Sequence, residues 1–158
     1  MKIRLFQSED TEQIAQLFYD TVRHINIQDY SKEQVEAWSP DNICFRNWLE
    51  ICSSRFTYVA EQDNKIIGFG ELEASGHIDR FYSHHKYQRQ GVGNKIYKAI
   101  ENKALELNLT RLFTEASITA QPFFIKQGFS VVKEQQVACR EETFKNYLME
   151  KQLTTKSF

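Results

Sequence analysis

Residues 87–93, Tyr-Gln-Arg-Gln-Gly-Val-Gly, join an extended segment to a long amphipathic helix, and this junction limits the folds open to the chain. Residues 78–83, Ile-Asp-Arg-Phe-Tyr-Ser, read as a strand. The helix over 93–107 follows, with Val92, Ile96, Ala99, Ile100, Ala104 and Leu107 on one face. Lys95, Lys98, Glu101, Asn102 and Glu106 lie on the other. A strand, a glycine turn and a helix start set free N–H groups and roughly half a positive charge at the end of a sheet. Such a turn suits an anion.

The spacing narrows the kind of anion site. A dinucleotide fingerprint needs a third glycine three residues after the second, where this chain has Ile96. The acidic residue expected on a following strand is missing too, which disfavours a nucleotide-binding oxidoreductase. A P-loop needs Gly-x-x-x-x-Gly-Lys-Ser/Thr, and that spacing is absent. What remains is Gln88-x-x-Gly91-x-Gly93.

Composition sets wider bounds. A chain of 158 residues has the size of one domain, so a single domain is expected over 1–158. The net charge of −1 argues against a nucleic-acid footprint. No apolar run approaches the ~20 residues that cross a bilayer, so no membrane partner is expected. The N-terminal Met-Lys-Ile-Arg-Leu-Phe-Gln lacks the apolar core of a signal peptide, and the expected compartment is the cytoplasm. Cys44, Cys52 and Cys139 form no Cys-x-x-Cys pair and read as buried free thiols. If Cys44 and Cys52 shared one helix they would stand ~12 Å apart along its axis, too far for a disulfide.

Along the chain, Ile3–Phe6 reads as a strand. Asp10 then caps a first helix, with Gln13 completing a capping box. Ser31 with Gln34 opens a second helix, which Pro40 stops. Asp41 caps a third, striped by Phe45, Trp48, Leu49 and Cys52. Strands over 56–61 and 66–74 meet at the turn Gln62-Asp63-Asn64-Lys65. After the long helix come a strand over 112–115, a short helix over 120–126 ending at Gly128, and strands over 129–139 and 143–151. The order β-α-α-α-β-β-β-α-β-α-β-β predicts an α/β mixed central sheet with helices on both faces. A strand at the C-terminus that forms a sheet edge would leave room for a homodimer.

Two stretches in order carry a family resemblance. Gln88-x-x-Gly91-x-Gly93 resembles the Q/R-x-x-G-x-G/A signature of the GNAT N-acetyltransferases, and Phe81 to Gln88 resembles the lead-in to that loop. Downstream, Ser117-Ile-Thr-Ala120-Gln-Pro-Phe123-Phe124-Ile-Lys-Gln-Gly128-Phe129 resembles the second signature, and Asn146-Tyr147-Leu148-Met149-Glu150-Lys151 resembles the ending of one subgroup. The resemblance covers nearly the whole chain.

It implies a GNAT-like acyl-CoA N-acyltransferase fold and an acetyl-CoA-dependent N-acetyltransferase acting on a primary amine of a small molecule or peptide, with no metal. Gln88, Arg89, Gln90, Gly91, Val92 and Gly93 would grip the diphosphate of acetyl-CoA. Tyr82 and Ser83 would hold the pantetheine and polarise the thioester, with Ser117 contacting the same arm or capping the next helix. A departure falls at Phe124, where the family commonly has the tyrosine that protonates the leaving sulfur. Tyr147, Tyr82 or water could replace it. A thiol pKa of ~8.5 also makes thiolate a tolerable leaving group unaided.

For the base, Glu71, Glu73, His77 and Asp79 are candidates, with Glu73 favoured. Tyr30 and Trp38 are candidate pocket walls. His84 and His85, adjacent on an extended segment, would point opposite ways. Phe124 also supports an alternative, a non-catalytic acyl-CoA-binding sensor or interaction module.

Overall fold

The computed structural model describes residues 1–154, so the last four residues of the domain expected over 1–158 lie outside the described residues. Strand β1 (Lys2–Leu5) leads through a 3-10 turn into α1 (Thr11–His24), followed by α2 (Lys32–Trp38) and α3 (Trp48–Ser53). An antiparallel meander follows: β2 (Phe56–Gln62), β3 (Lys65–Leu72) and β4 (Ile78–Ser83). Then come α4 (Val92–Glu106), β5 (Arg111–Ser117), α5 (Gln121–Lys126), β6 (Ser130–Cys139) and β7 (Glu142–Gln152). The expected order of elements is the observed one.

The strands form two antiparallel sheets, β1-β2-β3-β4 and β5-β7-β6. They meet where β4 and β5 run parallel, joined by the His77–Phe113 bridge and by the Thr114 hydroxyl, which donates to the Ile78 carbonyl at 2.8 Å. The last strand, β7, sits inside its sheet, and the edge is β6. That corrects the expectation of a C-terminal edge strand.

Each face has its own apolar cluster. Ile14, Leu17 and Phe18 of α1, Val35 of α2 and Trp48 of α3 pack on Val59 and Phe69. On the other face, Val92, Ile96 and Ile100 of α4 pack on Ile67, Leu72, Leu112 and Met149, with Phe124 of α5 beside them. Helix α4 can lie this low because β3 carries glycine beneath it. A Cβ on Gly68 would stand 2.7 Å from Val92 and 2.8 Å from Ile96.

Local chemistry fixes several boundaries. Ser31 and Gln34 form the expected capping box. The β2–β3 turn uses Asp63 and Asn64, both at positive φ, as a two-residue hairpin prefers. Two other caps differ from expectation. Asp10 makes no cap bond; it accepts from both Nη atoms of Arg4 at 2.8 and 2.9 Å, and Gln13 accepts instead from the Ile66 amide. Burial would raise the Asp10 pKa, but Arg4 and the Gln7 amide outweigh it and hold it low. Asp41 pairs with Arg23 and Tyr19, and Asn47 caps α3. Helix α3 is therefore shorter than its stripe suggested: Leu49 is exposed, and Cys44 precedes the helix and is exposed.

The closed end of the β4–β5 seam is fastened by charge. His77 lies between Glu73, bonded to its Nδ1, and Glu115, 2.9 Å from its Nε2. The Glu115 bond raises its pKa most, burial opposes, and Glu73 adds, giving about 9.

Two outcomes are expected. Gly68→Val should cost about 1–3 kcal/mol by overpacking, read by urea denaturation, because α4 must lift from the sheet. His77 should make stability pH-dependent. Its folded pKa lies above its unfolded value, so its contribution is complete below about pH 6.5 and vanishes as pH rises through about 9. Half-exposed partners reduce that contribution to about 1 kcal/mol. Denaturation at pH 6 and pH 9.5 should show the loss in the wild type and a smaller one in His77→Gln.

Candidate active site

The anion turn is built as its sequence requires. Gln88 bends back, its Nε2 donating to the Ser83 carbonyl at 2.7 Å. Arg89 and Gly91 both take positive φ, 62° and 80°. Gly91 begins α4 without a side-chain cap, and the first turn carries no acidic residue. Most helices answer their N-terminal N–H groups with a capping oxygen or a carboxylate. Here the first-turn N–H groups and the dipole are left for something outside the helix. The Gly91 carbonyl accepts from Lys95, so the helix itself is intact.

Downstream of the His77–Phe113 bridge, β4 and β5 separate. The cause lies on β4: between Gly70–Phe81 and Leu72–Ile78, one residue of β3 (Glu71) faces two of β4 (Asp79 and Arg80). This bulge adds twist and bends the strand. Beyond it the facing edges of β4 and β5 make no ladder with each other. They line a cavity of about 190 Å³ with Phe81, Tyr82, Ser83, Ala116, Ser117 and Phe124 among its walls, reaching Gln88 and Gly93. Extended backbone without a partner strand is an open row of donors and acceptors.

A second cavity, about 420 Å³, adjoins it on the α1–α2 side. Trp38, Asp79, Tyr82, Glu115 and Ser117 line both. The bulge matters here as well, because strict alternation would turn Asp79 and Arg80 to opposite faces, yet both line the second cavity. Asp79 accepts from Arg55 at 2.8 Å and lies 3.3 Å from Arg46. Burial would raise its pKa, but Arg80, Arg55 and Arg46 together hold it below the ordinary carboxylate range. Beneath it, fully buried Glu71 takes paired bonds from Arg46, both 2.9 Å, and one from Arg55 at 3.1 Å. The Cys52 thiol beside them is pushed up to about 12 by burial, with the Glu71 charge adding, which makes it inert as a nucleophile.

Tyr82 stands at the junction of the cavities, edge-on to Phe18 with ring centroids 5.0 Å apart. Burial pushes its hydroxyl pKa well above the usual value, so it stays protonated and can give a hydrogen bond. Tyr30 and Trp38 are pocket walls as expected. The Tyr30 hydroxyl also locks the site, donating to the Lys145 carbonyl at 2.7 Å and accepting from the Ile118 amide at 2.9 Å. The Ser117 hydroxyl accepts from the Ala120 amide at 3.0 Å while facing both cavities.

Other candidates stand elsewhere. Glu73 lines neither cavity; it is bonded to His77 and 3.4 Å from Arg55. Tyr147 also lines neither. Its neighbour Asn146 faces the second cavity, and Tyr147 packs toward the α4 side. Arg89, Gln90, Gly91 and Val92 line neither cavity and stand beside Gln88 and Gly93, which line the first, with Val92 buried in the core. The His84 and His85 rings stack at 4.4 Å, since a 3-10 turn begins at His85. Among the charged lining residues, Glu115, Arg80 and Arg140 escaped the sequence reading. Glu115 had a usable signal, standing two residues before Ser117 on one strand and therefore on its face.

Known proteins share this architecture. The family described as an acetyltransferase (GNAT) domain matches residues 26–153. The chain is 33% identical to the uncharacterized N-acetyltransferase YafP of Escherichia coli (strain K12) over 150 residues, 94% of each chain. A GCN5-related N-acetyltransferase structure from Rhodopseudomonas palustris superposes with a TM-score of 0.90 at 29% identity, covering 96% of this chain and 95% of that one. The PaiA N-acetyltransferase of Thermoplasma acidophilum, solved with coenzyme A, shares the fold at a TM-score of 0.80 and 19% identity, over 96% of this chain and 98% of that one. Matched through most of its sequence and nearly all of its fold, the chain belongs to the GNAT acetyltransferase family.

Proposed function

We propose that the chain, acting as one domain, transfers the acetyl group of acetyl-CoA to a primary amine of a small molecule or peptide. The observation that carries this reading is the continuous cleft from the uncapped start of α4, along unpaired β4 and β5, to the second cavity. Each part answers one part of the cosubstrate. The first-turn N–H groups of α4, with Gln88–Gly93, suit the diphosphate, and Arg89 adds charge from the side. The open strand edges suit the two amides of pantetheine. Phe123 and Phe124 give an apolar wall, and Ser117 gives a hydroxyl. A cytoplasmic setting accompanies this reading and suits the three free thiols.

The chemistry then falls to the shared end of the two cavities. An amine of pKa ~10.4 arrives protonated. Asp79, held ionised by its arginines, attracts the ammonium. Glu115, exposed and bonded to His77, takes the proton through water. This moves the base from Glu73, which its ion pairs hold outside the cavities. The neutral nitrogen attacks the thioester carbon, the C–S bond breaks, the nitrogen gives up its second proton to solvent water, and the sulfur leaves as thiolate. Backbone N–H groups near Tyr82 and Ser83 stabilise the charge developing on the carbonyl oxygen. The Tyr82 hydroxyl donates to the departing sulfur, the role left vacant by Phe124.

The test is release of free thiol from acetyl-CoA across a panel of amines, with the acetylated product identified by mass. Release with none of them, while CoA still raises the melting temperature, would leave only the acyl-CoA-binding alternative. Within an active enzyme, Tyr82→Phe should lower kcat by about tenfold to a hundredfold, at the modest end for a general acid because thiolate leaves readily. Tyr147→Phe should leave kcat within about twofold. The reverse pattern would return the acid to Tyr147.

A further inference from the structure

The second cavity sets acidic and basic groups side by side. Its carboxylates, Asp79 and Glu115, stand where it meets the cleft. Arg80 and Arg140 line the second cavity alone, together with the aromatic rings of Tyr30, Phe45 and Phe144.

The cations around the cavity differ in how far they are neutralised. Arg46 and Arg55 are tied to Glu71 and Asp79 at 2.8–3.1 Å. His77 is held between Glu73 and Glu115. Arg80 is not matched in this way. Its one ion-pair partner among the described residues is Asp79 at 3.7 Å, and its Nε is buried with no hydrogen-bond partner. Arg140 has no carboxylate partner among the described residues. One Nη donates to the Ala37 carbonyl at 2.7 Å, and the guanidinium lies 5.0 Å over the Phe45 ring. The same Nη also lies 3.3 Å from the Cys139 sulfur, and the remaining donors of this exposed side chain face solvent, open to a ligand.

The backbone at Arg140 is a separate observation. It stands at φ 46° in the two-residue turn between β6 and β7, beside Glu141 at φ 70°. Such turns favour asparagine and glycine. A long cation there is not explained by the turn, and its side chain reaches back over the cavity. Asn146 adds a buried amide oxygen without a partner on the same lining. The two ends of that amide exchange by a half-turn, so it can also present donors.

We propose that the acceptor is an amine that also carries a carboxylate, an α-amino acid or close relative with an apolar body. Its amine lies at Asp79 and Glu115, its carboxylate, carried on the same carbon, lies beside the amine at Arg80 and Arg140, and its apolar body lies among the aromatic rings. This rests on the N-acetyltransferase reading above and narrows its acceptor. A diamine or polyamine would leave the guanidiniums unanswered and add a second cation beside them. A peptide N-terminus carries an amide where this site presents cations for an acid.

Matched pairs test it on the intact protein. Leucine is compared with isopentylamine and phenylalanine with 2-phenylethylamine, each acid also as its methyl ester, by thiol release from acetyl-CoA. The free acids should show kcat/KM at least about tenfold above their amines and esters, as expected for a charge-assisted hydrogen bond. Arg140→Gln should raise KM for the acids and bring the ratio within about twofold. If that variant does not fold, Arg80→Gln reports the same ratio. Amines or esters used as well as the acids would overturn the proposal and leave N-acetyl transfer standing. No thiol release from any member would overturn the proposal, and N-acetyl transfer falls with it only where the wider amine panel also releases none.

Discussion

Beyond the His77–Phe113 bridge and the bond from the Thr114 hydroxyl to the Ile78 carbonyl, β4 and β5 run side by side with no ladder between them, and each leaves one edge of its backbone without a strand partner. The rest of the site depends on this separation. Buried backbone polar groups need partners, and a cleft of this kind is stable only beside water or a ligand rich in amides. The bulge at Asp79–Arg80 turns β4 away, while the charged clasp of Glu73, His77 and Glu115 holds the seam shut at the other end. Glycine on β3 then lets α4 settle close enough for its uncapped start to meet the open end of the cleft.

Charge is arranged around the same seam. The buried pairs of Glu71 with Arg46 and Arg55 are internally satisfied, and such pairs contribute little net stability against an apolar replacement. Their effect is positional: they fix Asp79 as an ionised carboxylate at the junction of two cavities. Tyr82 meets it there as a protonated donor.

Much of this was legible along the chain, for a physical reason. Gln88 to Gly93 and Ser117 to Phe129 are local motifs, and a turn or cap is decided by residues a few positions apart. The order of elements and the capping box of Ser31 follow likewise. What was not legible depends on distant partners. Asp10 looks like a cap until Arg4 claims it. Glu71 resembles a surface charge on an alternating strand until Arg46 and Arg55 reach it from the loops before β2. A bulge leaves no mark in residue type, so the joint placement of Asp79 and Arg80 was hidden. The same holds for Arg140, whose turn would have suited asparagine. Glu73 sits at the closed end of the seam, bonded to His77 and outside both cavities, a placement that the strand pattern alone did not give.

The central claim is that open backbone at the start of α4 and along the separated strands is the binding surface for the cosubstrate. Amide hydrogen exchange with and without acetyl-CoA measures this directly. The account predicts slowed exchange at Gly91–Asn94 and at residues of β4 and β5 that face the cleft, and little change in β1 and β2. Protection confined to other segments, or none at saturating acetyl-CoA, would contradict it.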